Sequence, residues 1–497
     1  MTVTERELKL AAAPSFRMPP LDEVAGDVTA APQEPERLAT TYFDTDDLRL
    51  ARWGVSFRHR AGQGWTVKLP SEDDATLLSR PEITFAGNGR RPPAAAVDLV
   101  RAFIRSDELR PQTRLRTIRR RTELRDVEGR LVADVVDDEV SVLEGRRLAA
   151  RFRELEVEIG EATPPGLLDE IVEILRREGA GVPDPTPKYI RALGPRASRP
   201  PEIALPELAS GATAGDVVRR ALAASVVRLI EHDPVMRLDA DPEGVHQARV
   251  ATRRLRSDLR TFRSLVEPVW STALRDELGW LAGILGTVRD GDVMLERMRK
   301  RVSQLPPTNA RGAARVVETL EAARDAAHVE LLAALRGDRY IALLDRLVAA
   351  ANTPALLLEA DLPASSVLPG LVRRPWRSLA KRVKSLGERP TEEELHDIRI
   401  RTKRVRYAAE AVAPLVGRQA RVFADRAARL QEVLGDLNDA VVAEDWLREW
   451  ARGSRSVQGA FAAGELAGLE RAAAERSRSR WQSAWKELSS PRLRAWM

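Results

Sequence analysis

The first residues of the chain that could do chemistry are two acids and a lysine at alternate positions, Glu5, Glu7 and Lys9. In an extended strand alternate side chains share one face, so a strand here would present two carboxylates and an ammonium group together. Carboxylate oxygens suit hard divalent cations such as Mg²⁺ and Mn²⁺, which commonly bridge a carboxylate to a phosphate. Taken alone, the pattern also fits a strand face that meets solvent.

Charges of both signs recur at this two-residue spacing along later β-like segments. If those faces converge, they line a lumen that holds acids and bases together. Arginine and lysine bind phosphate oxygens directly, whereas acids tolerate a phosphate chain only when a divalent cation lies between them. The residues with this spacing are Arg58 and Arg60, Lys68 with Thr66, Arg80 and Glu82, Arg114, Arg116 and Arg120 (interrupted by Ile118), Asp134 and Asp138, and Glu154, Glu156 and Glu158.

The elements that must position these residues fall into two halves. Residues 1–195 show the period-two alternation of β-strands, with glycines at the expected turns and helical stretches near 94–107 and 167–177. A proline-rich stretch predicts a linker at 196–209. From 210 to 497 the sequence has the 3.6-residue period of helices. We therefore predict an α+β multidomain protein, with a β-rich unit followed by an all-α domain.

The helical half contains an internal repeat. Block 245–256 matches block 395–406 at an offset of 150 (395 − 245 = 150), and block 281–290 matches block 430–439 at an offset of 149 (430 − 281 = 149). Two matched blocks in the same order predict a duplicated helical unit, with two bundles related by a pseudo-two-fold axis. The repeats span about 210–350 and 365–497.

A basic stripe runs beside the apolar seam of each repeat. Side chains at helical spacing lie on neighbouring turns of one face, and few acids stand among these cations. Such a stripe needs either acids from another helix or an external anion, and we favour the anion over a solvated face. The predicted anion-binding residues are His246, Arg249, Arg253, Arg254, Arg256 and Arg260 in the first repeat, then Arg374, Arg377 and Lys381, and then His396, Arg399, Lys403, Arg404 and Arg406 in the second.

The two histidines of the stripes occupy equivalent positions, since His246 aligns with His396. The equivalence favours a ligand contact or a helix-end role over catalysis. Metal binding by this pair is a minor option, because the sequence offers no evident third ligand.

Composition narrows the class of protein. The 497 residues are 43% hydrophobic and 31% charged, which is typical of soluble multidomain proteins. No run of about 18 apolar residues could span a bilayer, and the charged start lacks the apolar core of a signal peptide. With no cysteine, disulfides and thiolate chemistry are excluded. We expect a cytoplasmic protein with no membrane partner. Its pI of about 9.8 and its arginine excess fit either an anion-binding surface or a GC-rich genome.

Several motifs of the first half occur in a fixed order. They are Glu-Arg-Glu-Leu-Lys at 5–9, Tyr-Phe-Asp-Thr at 42–45, Phe-Arg-His-Arg at 57–60, Thr-Val-Lys at 66–68, Arg-Pro-Glu at 80–82, Phe-Arg-Glu-Leu-Glu at 152–156 and Lys-Tyr at 188–189. This set resembles the CYTH domain, also called the triphosphate tunnel metalloenzyme, over about residues 1–195. The resemblance implies an antiparallel β-barrel tunnel, a divalent metal (Mg²⁺ or Mn²⁺) and triphosphate chemistry.

Carried onto this sequence, the resemblance implies roles for individual residues. Lys9 would touch the phosphate chain or help to orient the attacking water, and Glu82 would hold a second metal or orient that water; we assign both as catalytic. The tunnel aspartate is Asp134 or Asp138, and we assign Asp138. The predicted metal ligands are Glu5, Glu7, Glu154, Glu156 and Asp138, and the predicted triphosphate-binding residues are Lys9, Arg58, Arg60, Lys68, Arg80, Arg114, Arg116, Arg120 and Lys188. Thr84, where an acid often stands, and Ile118 depart from the pattern and leave catalytic efficiency and substrate choice open.

The second half, residues 210–497, is similar to the CHAD domain, a helical domain with conserved histidines that is usually found beside CYTH domains. Both histidine-containing blocks and both Leu-Gly…Asp blocks carry the resemblance. It implies two antiparallel bundles with a basic groove that binds inorganic polyphosphate, with an affinity that falls as salt rises.

Two functions follow from these expectations. The first is metal-dependent hydrolysis of inorganic triphosphate or short polyphosphate in the tunnel, with polyphosphate binding by the helical domain. The alternative is a non-catalytic polyphosphate-binding protein that is targeted to polyphosphate granules. Specific nucleic-acid binding is disfavoured, because the basic stripes lack interleaved aromatic residues and no nucleic-acid-binding motif is present. The preferred phosphate, the physiological metal, the oligomeric state and any coupling between the halves stay open.

Overall fold

The structure is a computed structural model that describes residues 2–22, 24, 28–70, 78–87, 91–160 and 163–497, with the backbone alone for residues 2–6 and 78–81. The chain forms two compact units, residues 1–202 and residues 203–497. The first unit is built mainly from strands and the second from helices.

The first unit contains an antiparallel sheet with short helices in its connections. Its strands are β1 (Thr2–Ala12), β2 (Thr29–Pro32), β3 (Glu36–Asp44), β4 (Ser56–Arg60), β5 (Gly64–Lys68), β6 (Leu78–Phe85), β7 (Arg110–Arg125), β8 (Leu131–Glu144), β9 (Arg147–Ile159) and β10 (Ala180–Pro183). Its helices are α1 (Arg49–Arg52), α2 (Ala94–Leu99), α3 (Arg101–Ile104), α4 (Leu167–Arg177) and α5 (Lys188–Leu193). The two predicted helical stretches are thus present, the first of them as α2 and α3.

The sheet curls round a lumen. Its strand order is β10-β1-β6-β5-β4-β3-β7-β8-β9, with β2 on β7. β1 pairs with β6 through residues 2–7 and with β9 through residues 6–12, so the two ends of the sheet share this strand. The pairings with β6 and β9 overlap at Arg6 and Glu7, and near Leu10 and Ala12 the neighbour on the β6 side is β10, so the word barrel describes the shape loosely. The predicted antiparallel tunnel is confirmed in this sense.

An apolar layer outside the curled sheet determines which face of β1 points into the lumen. Leu8 and Leu10 are buried in a core cluster with Ile171 of α4. Burying an aliphatic side chain stabilises a fold by roughly 1.5–3 kcal/mol, whereas charges buried against α4 would be destabilising. Because neighbouring residues of a strand face opposite sides, the leucines direct Glu7 and Lys9 into the lumen.

The end of the first unit is anchored rather than free. Ala197 is buried in a core cluster that also contains Tyr189. Glu202 accepts hydrogen bonds from Trp53 Nε1 at 2.8 Å and from Arg105 Nη1 at 2.7 Å. The predicted linker of residues 196–209 therefore starts inside the first unit, because its first residues complete the packing there.

The second unit is an array of long helices. These are α6 (Ala214–Leu238), α7 (Glu243–Thr261), α8 (Pro268–Val302), α9 (Ala310–Arg336), α10 (Asp338–Asn352), α11 (Ala364–Lys384), α12 (Glu392–Val416), α13 (Arg418–Gly453) and α14 (Val457–Leu488). Short 3₁₀ turns lie at Pro307–Asn309, Leu358–Asp361 and Pro491–Arg494. No helix among the described residues is long and apolar enough to cross a membrane.

α7 and α12 carry the duplicated blocks and repeat each other in detail. The predicted seam is buried in both, from Val245 to Leu255 in α7 and from Leu395 to Val405 in α12. Thr252 Oγ1 donates to Ala248 O at 2.8 Å, and its equivalent Thr402 Oγ1 donates to the carbonyl four residues earlier at the same distance. The two helices pack against each other, so the basic stripes beside the seams meet.

Candidate functional site

The strand register sets charged side chains in opposition around the lumen. Across the seam, Lys9 pairs with Glu156 and Glu7 with Glu158, and side chains of such pairs stand about 4.5–5.5 Å apart at Cβ. The lumen is a cavity of about 370 Å³. The predicted residues that line it are Glu7, Lys9, Arg58, Arg60, Lys68, Glu82, Asp138, Glu156 and Lys188.

Lys9 lies buried among three carboxylates. Its Nζ is 2.5 Å from Glu156 Oε1, 3.3 Å from Glu7 Oε1 and 4.0 Å from Glu154 Oε1. Burial opposes the charge, but the acids outweigh it and hold the pKa of Lys9 well above its ordinary value. Lys9 therefore stays an ammonium group, which donates hydrogen bonds and cannot take a proton from water.

Lys188, the first residue of α5, is a second buried ammonium group. α5 is fixed to the sheet by Tyr189, whose ring stacks on Tyr42 of β3 with centroids 5.5 Å apart. Lys188 Nζ lies 2.6 Å from Asp138 Oδ2 and 2.8 Å from Glu156 Oε2. Burial favours the neutral amine, yet these carboxylates raise the pKa of Lys188.

The surroundings shift the pKa values of Glu154 and Glu156, two acids of β9, in opposite directions. For Glu156 burial is outweighed by Lys188, Lys9 and Arg119, which hold its pKa well below the ordinary value. For Glu154 burial prevails and raises the pKa. Within the described part of the chain neither oxygen of Glu154 has a hydrogen-bond partner, although Lys188 Nζ lies 3.2 Å away. Lys188 thus engages Glu154 and Asp138, two of the predicted metal ligands.

The opposite wall holds a carboxylate between cations. Glu82 Oε1 lies 3.0 Å from Arg58 Nη2, and Glu82 Oε2 lies 2.8 Å from Lys68 Nζ. Burial opposes ionisation, but the two cations keep the pKa of Glu82 below its ordinary value. Burial and the neighbouring guanidinium groups of Arg58 and Arg119 lower the pKa of Arg60 to about 10. This crowding of positive charge favours an anionic guest.

Three carboxylates converge at one place on the acidic wall. Glu7, Glu156 and Glu158 each offer an oxygen, and the three oxygens lie within 4.8 Å of one another. Nearby, the buried Asp134 Oδ1 has no hydrogen-bond partner among the described residues, and Asp134 pairs with Glu158 in the sheet. An all-carboxylate donor set beside an unsatisfied carboxylate oxygen fits Mg²⁺ or Mn²⁺. Glu158 was not among the predicted ligands, although it continues the spacing of Glu156.

The face of β7 that points into the lumen is opposite to the face that was predicted to do so. Arg114, Arg116 and Arg120 are exposed on the outer face, where Arg120 Nη1 donates to Glu139 Oε1 at 2.8 Å. The prediction that these three arginines bind phosphate in the tunnel is therefore corrected. The physical reason is parity, because Leu124 shares a face with them and is buried in the apolar cluster against α4, outside the lumen.

The basic residues that β7 does place in the lumen were missed. Arg119 and Arg121 line the cavity. Arg119 donates to Asp138 Oδ1 at 3.0 Å and to Oδ2 at 2.7 Å, and Arg121 pairs with Asp134. The run of three arginines at 119–121 obscures the parity. Each face also carries an aliphatic residue, Leu115 in the lumen and Ile118 outside it, and the buried Leu124 is the residue that marks the outer face.

Two predicted residues of the tunnel are placed only by their backbones. Glu5 pairs with Arg80 in the β1–β6 ladder, and the side chains of both lie outside the described residues. Thr84, the departure from the acidic pattern, lines the cavity.

In the helical unit, cations from both repeats meet where α7 and α12 cross. Burial, together with Arg399, Arg253 and Arg249, lowers the pKa of Lys403 to about 7. Burial and the same two guanidinium groups of α7 also lower the pKa of Arg399, although Asp439 opposes them. We call these four residues the central cluster. Cations that lie close together lower one another's pKa values, and a bound anion raises those values again by stabilising the charged forms.

The central cluster is only partly neutralised from within. Arg249 Nη1 lies 3.0 Å from Asp290 Oδ1, and the Arg253 guanidinium stands 5.8 Å from the ring centre of Tyr407. In the described part of the molecule, the buried Nε atoms of Arg253 and Arg399 have no hydrogen-bond partner. A buried donor without a partner is costly, so these atoms also point to an anionic ligand.

Arg254 and Arg406 differ from the central cluster because acids of the protein neutralise them. Both pair with Glu410, Arg406 at 2.6 Å, and Arg254 also lies 3.4 Å from Asp258. Among the other predicted residues, Arg256, Arg260, Arg374, Arg377, Lys381 and Arg404 are exposed.

The two histidines have different surroundings. His396 Nδ1 lies 2.7 Å from Asn438 Oδ1 on α13. Burial and Arg289 lower the pKa of His246. In the described residues, the acidic cluster of the lumen is the group suited to a metal, and neither histidine belongs to such a group.

A change in pH should test the central cluster. We expect binding of a polyanion at this cluster to take up a proton above pH 7, because Lys403 has a pKa of about 7 in the free protein and a bound anion raises it. The affinity should be constant below pH 7 and fall as the pH rises through 8 and 9. Calorimetry at pH 8 in two buffers of different ionisation enthalpy measures the uptake. Lys403→Arg should abolish it, and an unchanged uptake in that variant would contradict the assignment.

Comparison with known proteins agrees with the division of the chain. The CYTH domain model matches residues 4–190 and the CHAD domain model matches residues 220–448. Two uncharacterized proteins from strains of Mycobacterium tuberculosis, Rv2226 and MT2285, are each 31% identical to this chain over 523 aligned residues, covering 97% of this chain and 96% of theirs.

Two solved structures are also similar to part of the chain. PptA from Streptomyces chartreusis aligns with a TM-score of 0.48 and 25% identity, over 55% of this chain and 100% of that one. The CHAD domain from the plant Ricinus communis aligns with a TM-score of 0.48 and 27% identity, over 58% of this chain and 96% of that one.

The matched families define a class of chemistry. CYTH domains include triphosphatases and cyclases and are typically dependent on a divalent metal. CYTH and CHAD domains are linked to the binding of triphosphate and polyphosphate. With both domain models matched in order and relatives aligned over nearly the full length, the chain belongs to the family of proteins in which a CYTH domain precedes a CHAD domain.

Proposed function

We propose that the first unit is a divalent-metal-dependent hydrolase of inorganic triphosphate or short polyphosphate. The observation that supports it is the mixed lining of the lumen, where Glu7, Glu156 and Glu158 face a set of arginines and lysines across about 370 Å³. Cations alone would bind phosphate and acids alone would bind metal. The combination suits a phosphate chain that arrives with its metal ion.

The carboxylate cluster would hold Mg²⁺ or Mn²⁺ through Glu7, Glu156 and Glu158. When bound, such an ion supplies positive charge to the oxygens of the transferring phosphoryl group. Arg58, Arg60, Lys68, Arg119 and Arg121 would hold the non-bridging oxygens of the chain, because guanidinium and ammonium groups bind phosphate at short range.

Lys9 and Glu82 have distinct parts in this proposal. The raised pKa of Lys9 keeps it charged, so Lys9 orients a phosphate oxygen or a water as a donor and does not act as a base. The lowered pKa of Glu82 keeps it ionised, so Glu82 can accept a hydrogen bond from the attacking water. Both groups would keep that water in line with the bond that breaks.

A substrate panel tests the proposed activity. Phosphate release from triphosphate, ATP, thiamine triphosphate and long polyphosphate would be measured with Mg²⁺, with Mn²⁺ and with chelator. We expect release from triphosphate only when a metal is added. Binding of triphosphate without release under every condition would leave the alternative, a non-catalytic polyphosphate-binding protein.

We infer that the helical unit binds polyphosphate through the central cluster. The unpartnered Nε atoms of Arg253 and Arg399 and the lowered pKa of Lys403 support this inference. A long chain held there would also tether the enzyme to polyphosphate granules. Imaging of the tagged protein in cells with and without polyphosphate would test the tether, and identical distributions would count against it.

Two arginines on opposite faces of β7 provide a matched test of the lumen. Arg121→Gln should lower kcat/KM for triphosphate by about tenfold, because one charge-assisted contact to phosphate is lost. Arg116→Gln removes the same group from the outer face of the same strand and should change kcat/KM by less than about twofold. Equal effects of the two variants, measured on protein with unchanged melting temperature, would contradict the placement.

A further inference from the structure

The duplication of the helical unit produces two equivalent cavities that have diverged in charge. One cavity, of about 360 Å³, is lined by Arg260, Arg263 and Gly370 among others. The other, of about 740 Å³, is lined by Glu410, Ala413 and Arg220. Each residue of the first set stands 150 positions from its counterpart in the second (410 − 260, 413 − 263 and 370 − 220), which is the offset of the repeat. The two cavities therefore share three equivalent positions of the repeats, and we call them the arginine pocket and the mixed pocket.

The mixed pocket carries its own acids. Glu410 pairs with Arg254 and Arg406, and Arg254 also lies over the ring of Tyr407 at 5.7 Å. Glu207 and Asp425 line the same cavity. Positive charge on this side is balanced by the protein itself.

The arginine pocket lacks this balance. Arg260 replaces Glu410, and Ser257 replaces Tyr407, so Arg404 faces another arginine instead of an acid. No acid is among the residues that line this pocket. Across the part of the chain that the structure describes, Arg260, Arg263, Arg374 and Arg404 have no acidic partner within 4.0 Å.

The pocket also has a fixed donor and several hydroxyl groups. Arg401 is held by Asp397 at 3.0 Å and by Ser378 Oγ at 2.6 Å. Ser257, Thr261 and Ser264 contribute hydroxyl groups to the wall. The pKa of Arg260 is lowered by burial and by four nearby guanidinium groups, those of Arg404, Arg275, Arg256 and Arg263. An anion bound among them would reduce this repulsion.

The position of the pocket connects it to the central cluster. Arg253, Arg256 and Arg260 follow one another at three- and four-residue spacing on α7, so they lie on successive turns of one face. A phosphate chain bound at Arg253 could follow this face into the arginine pocket.

We propose that the arginine pocket binds the free end of a linear phosphate chain, a short run of phosphoryl groups that closes with a terminal phosphate. This inference rests on the proposed function for the class of its ligand. A terminal phosphate has three acceptor oxygens and a second negative charge near neutral pH, whereas an internal phosphate of the chain offers fewer oxygens and one charge. Convergent guanidinium forks and hydroxyl donors match the terminal group. The end belongs either to a long polyphosphate or to free triphosphate.

The test uses the full-length protein with chelator, so that no metal-dependent turnover occurs. Calorimetry would measure binding of a polyphosphate of one length with free ends, of the same chain with both ends capped as phosphoramidates, which removes the second charge and one oxygen of each terminal phosphate, and of triphosphate. The variant is Arg260→Gln with Arg404→Gln. The control is Arg418→Gln with Arg421→Gln, which removes the same charge from the first turn of α13, where Arg421 lines the mixed pocket.

For the wild type we expect free-ended chains to bind about tenfold more tightly than capped chains. The pocket variant should lose that preference, and the control should keep it. This result would support the end of a long polyphosphate as the ligand of the arginine pocket. Free triphosphate would be supported as the ligand of the arginine pocket if the pocket variant keeps the preference for free-ended chains but loses one triphosphate-binding site per protein molecule.

The remaining outcomes count against one proposal or the other. A pocket variant that matches the wild type with all three ligands would overturn the pocket proposal. A wild type that binds no long chain would overturn polyphosphate binding by the helical unit, and the triphosphate arm would still decide the pocket. Circular dichroism and melting temperature confirm that the variant is folded, and Arg260→Lys with Arg404→Lys should retain part of the preference because the charge is kept.

Discussion

Glu7→Gln with Glu158→Gln is expected to lower metal-dependent hydrolysis of triphosphate by about a hundred- to ten-thousandfold. A divalent ion contributes several kcal/mol to a phosphoryl-transfer transition state, and each 1.4 kcal/mol corresponds to about a tenfold change in rate. Both residues offer oxygens to the carboxylate cluster. Glutamine keeps the shape of each side chain and removes the charge that attracts the ion.

Phosphate release at several concentrations of Mg²⁺ and Mn²⁺ measures the effect. The variant should retain binding of long polyphosphate, because the central cluster lies in the other unit. A matched control is Glu128→Gln with Glu144→Gln, which changes two exposed glutamates of the same sheet unit. Full turnover with an unaltered metal requirement in the first variant would show that the cluster does not hold the ion.

Arg253→Gln with Lys403→Gln is expected to weaken binding of long polyphosphate by about a hundred- to thousandfold at low salt. Each residue would lose a charge-assisted contact, commonly about 1.5–3 kcal/mol. The two charges come from equivalent positions of the repeats (403 − 253 = 150), so the variant removes one cation from each side of the central cluster. The slope of log affinity against log salt should also become shallower, since fewer counterions are released.

Triphosphate hydrolysis should be unchanged in this variant. The control Lys300→Gln with Arg315→Gln removes one lysine and one arginine that are exposed on α8 and α9, away from the stripes. Its affinity should stay within about threefold of the wild type. If the control and the cluster variant lose affinity equally, net charge rather than the central cluster governs binding.

Much of the tunnel could be predicted because β1 obeys a simple rule. Its acids and Lys9 alternate with leucines, and α4 buries the leucines outside the sheet. β7 gives a weaker guide, because both of its faces carry arginines and aliphatic residues, with Leu115 on the lumen face and Ile118 and Leu124 on the outer face. A one-residue error in parity moves every side chain of a strand to the opposite face, which is why Arg114, Arg116 and Arg120 were assigned to the lumen.

Prediction of the helical site from the sequence is limited for a different reason. The repeat and its apolar seam are visible in the sequence, and the seam is buried as expected. The stripe, however, is not uniform. Arg254 and Arg406 are neutralised by Glu410, whereas Arg253 lies against Tyr407 and has no salt bridge to an acid among the residues that the structure describes. Which cation receives an acid depends on how α7 crosses α12, and spacing along one helix does not contain that information.

The ammonium groups of Lys9 and Lys188 act as built-in counterions for the tunnel. They neutralise Glu156 from two sides while no ligand is bound. A divalent ion that arrives alone must compete with them, and a phosphate chain that arrives alone must face the carboxylates. If both arrive together, the carboxylates would hold the ion, and Lys9 and Lys188 would donate their hydrogen bonds to the phosphates. Binding of the two should therefore be positively cooperative, each raising the affinity of the other by the same factor.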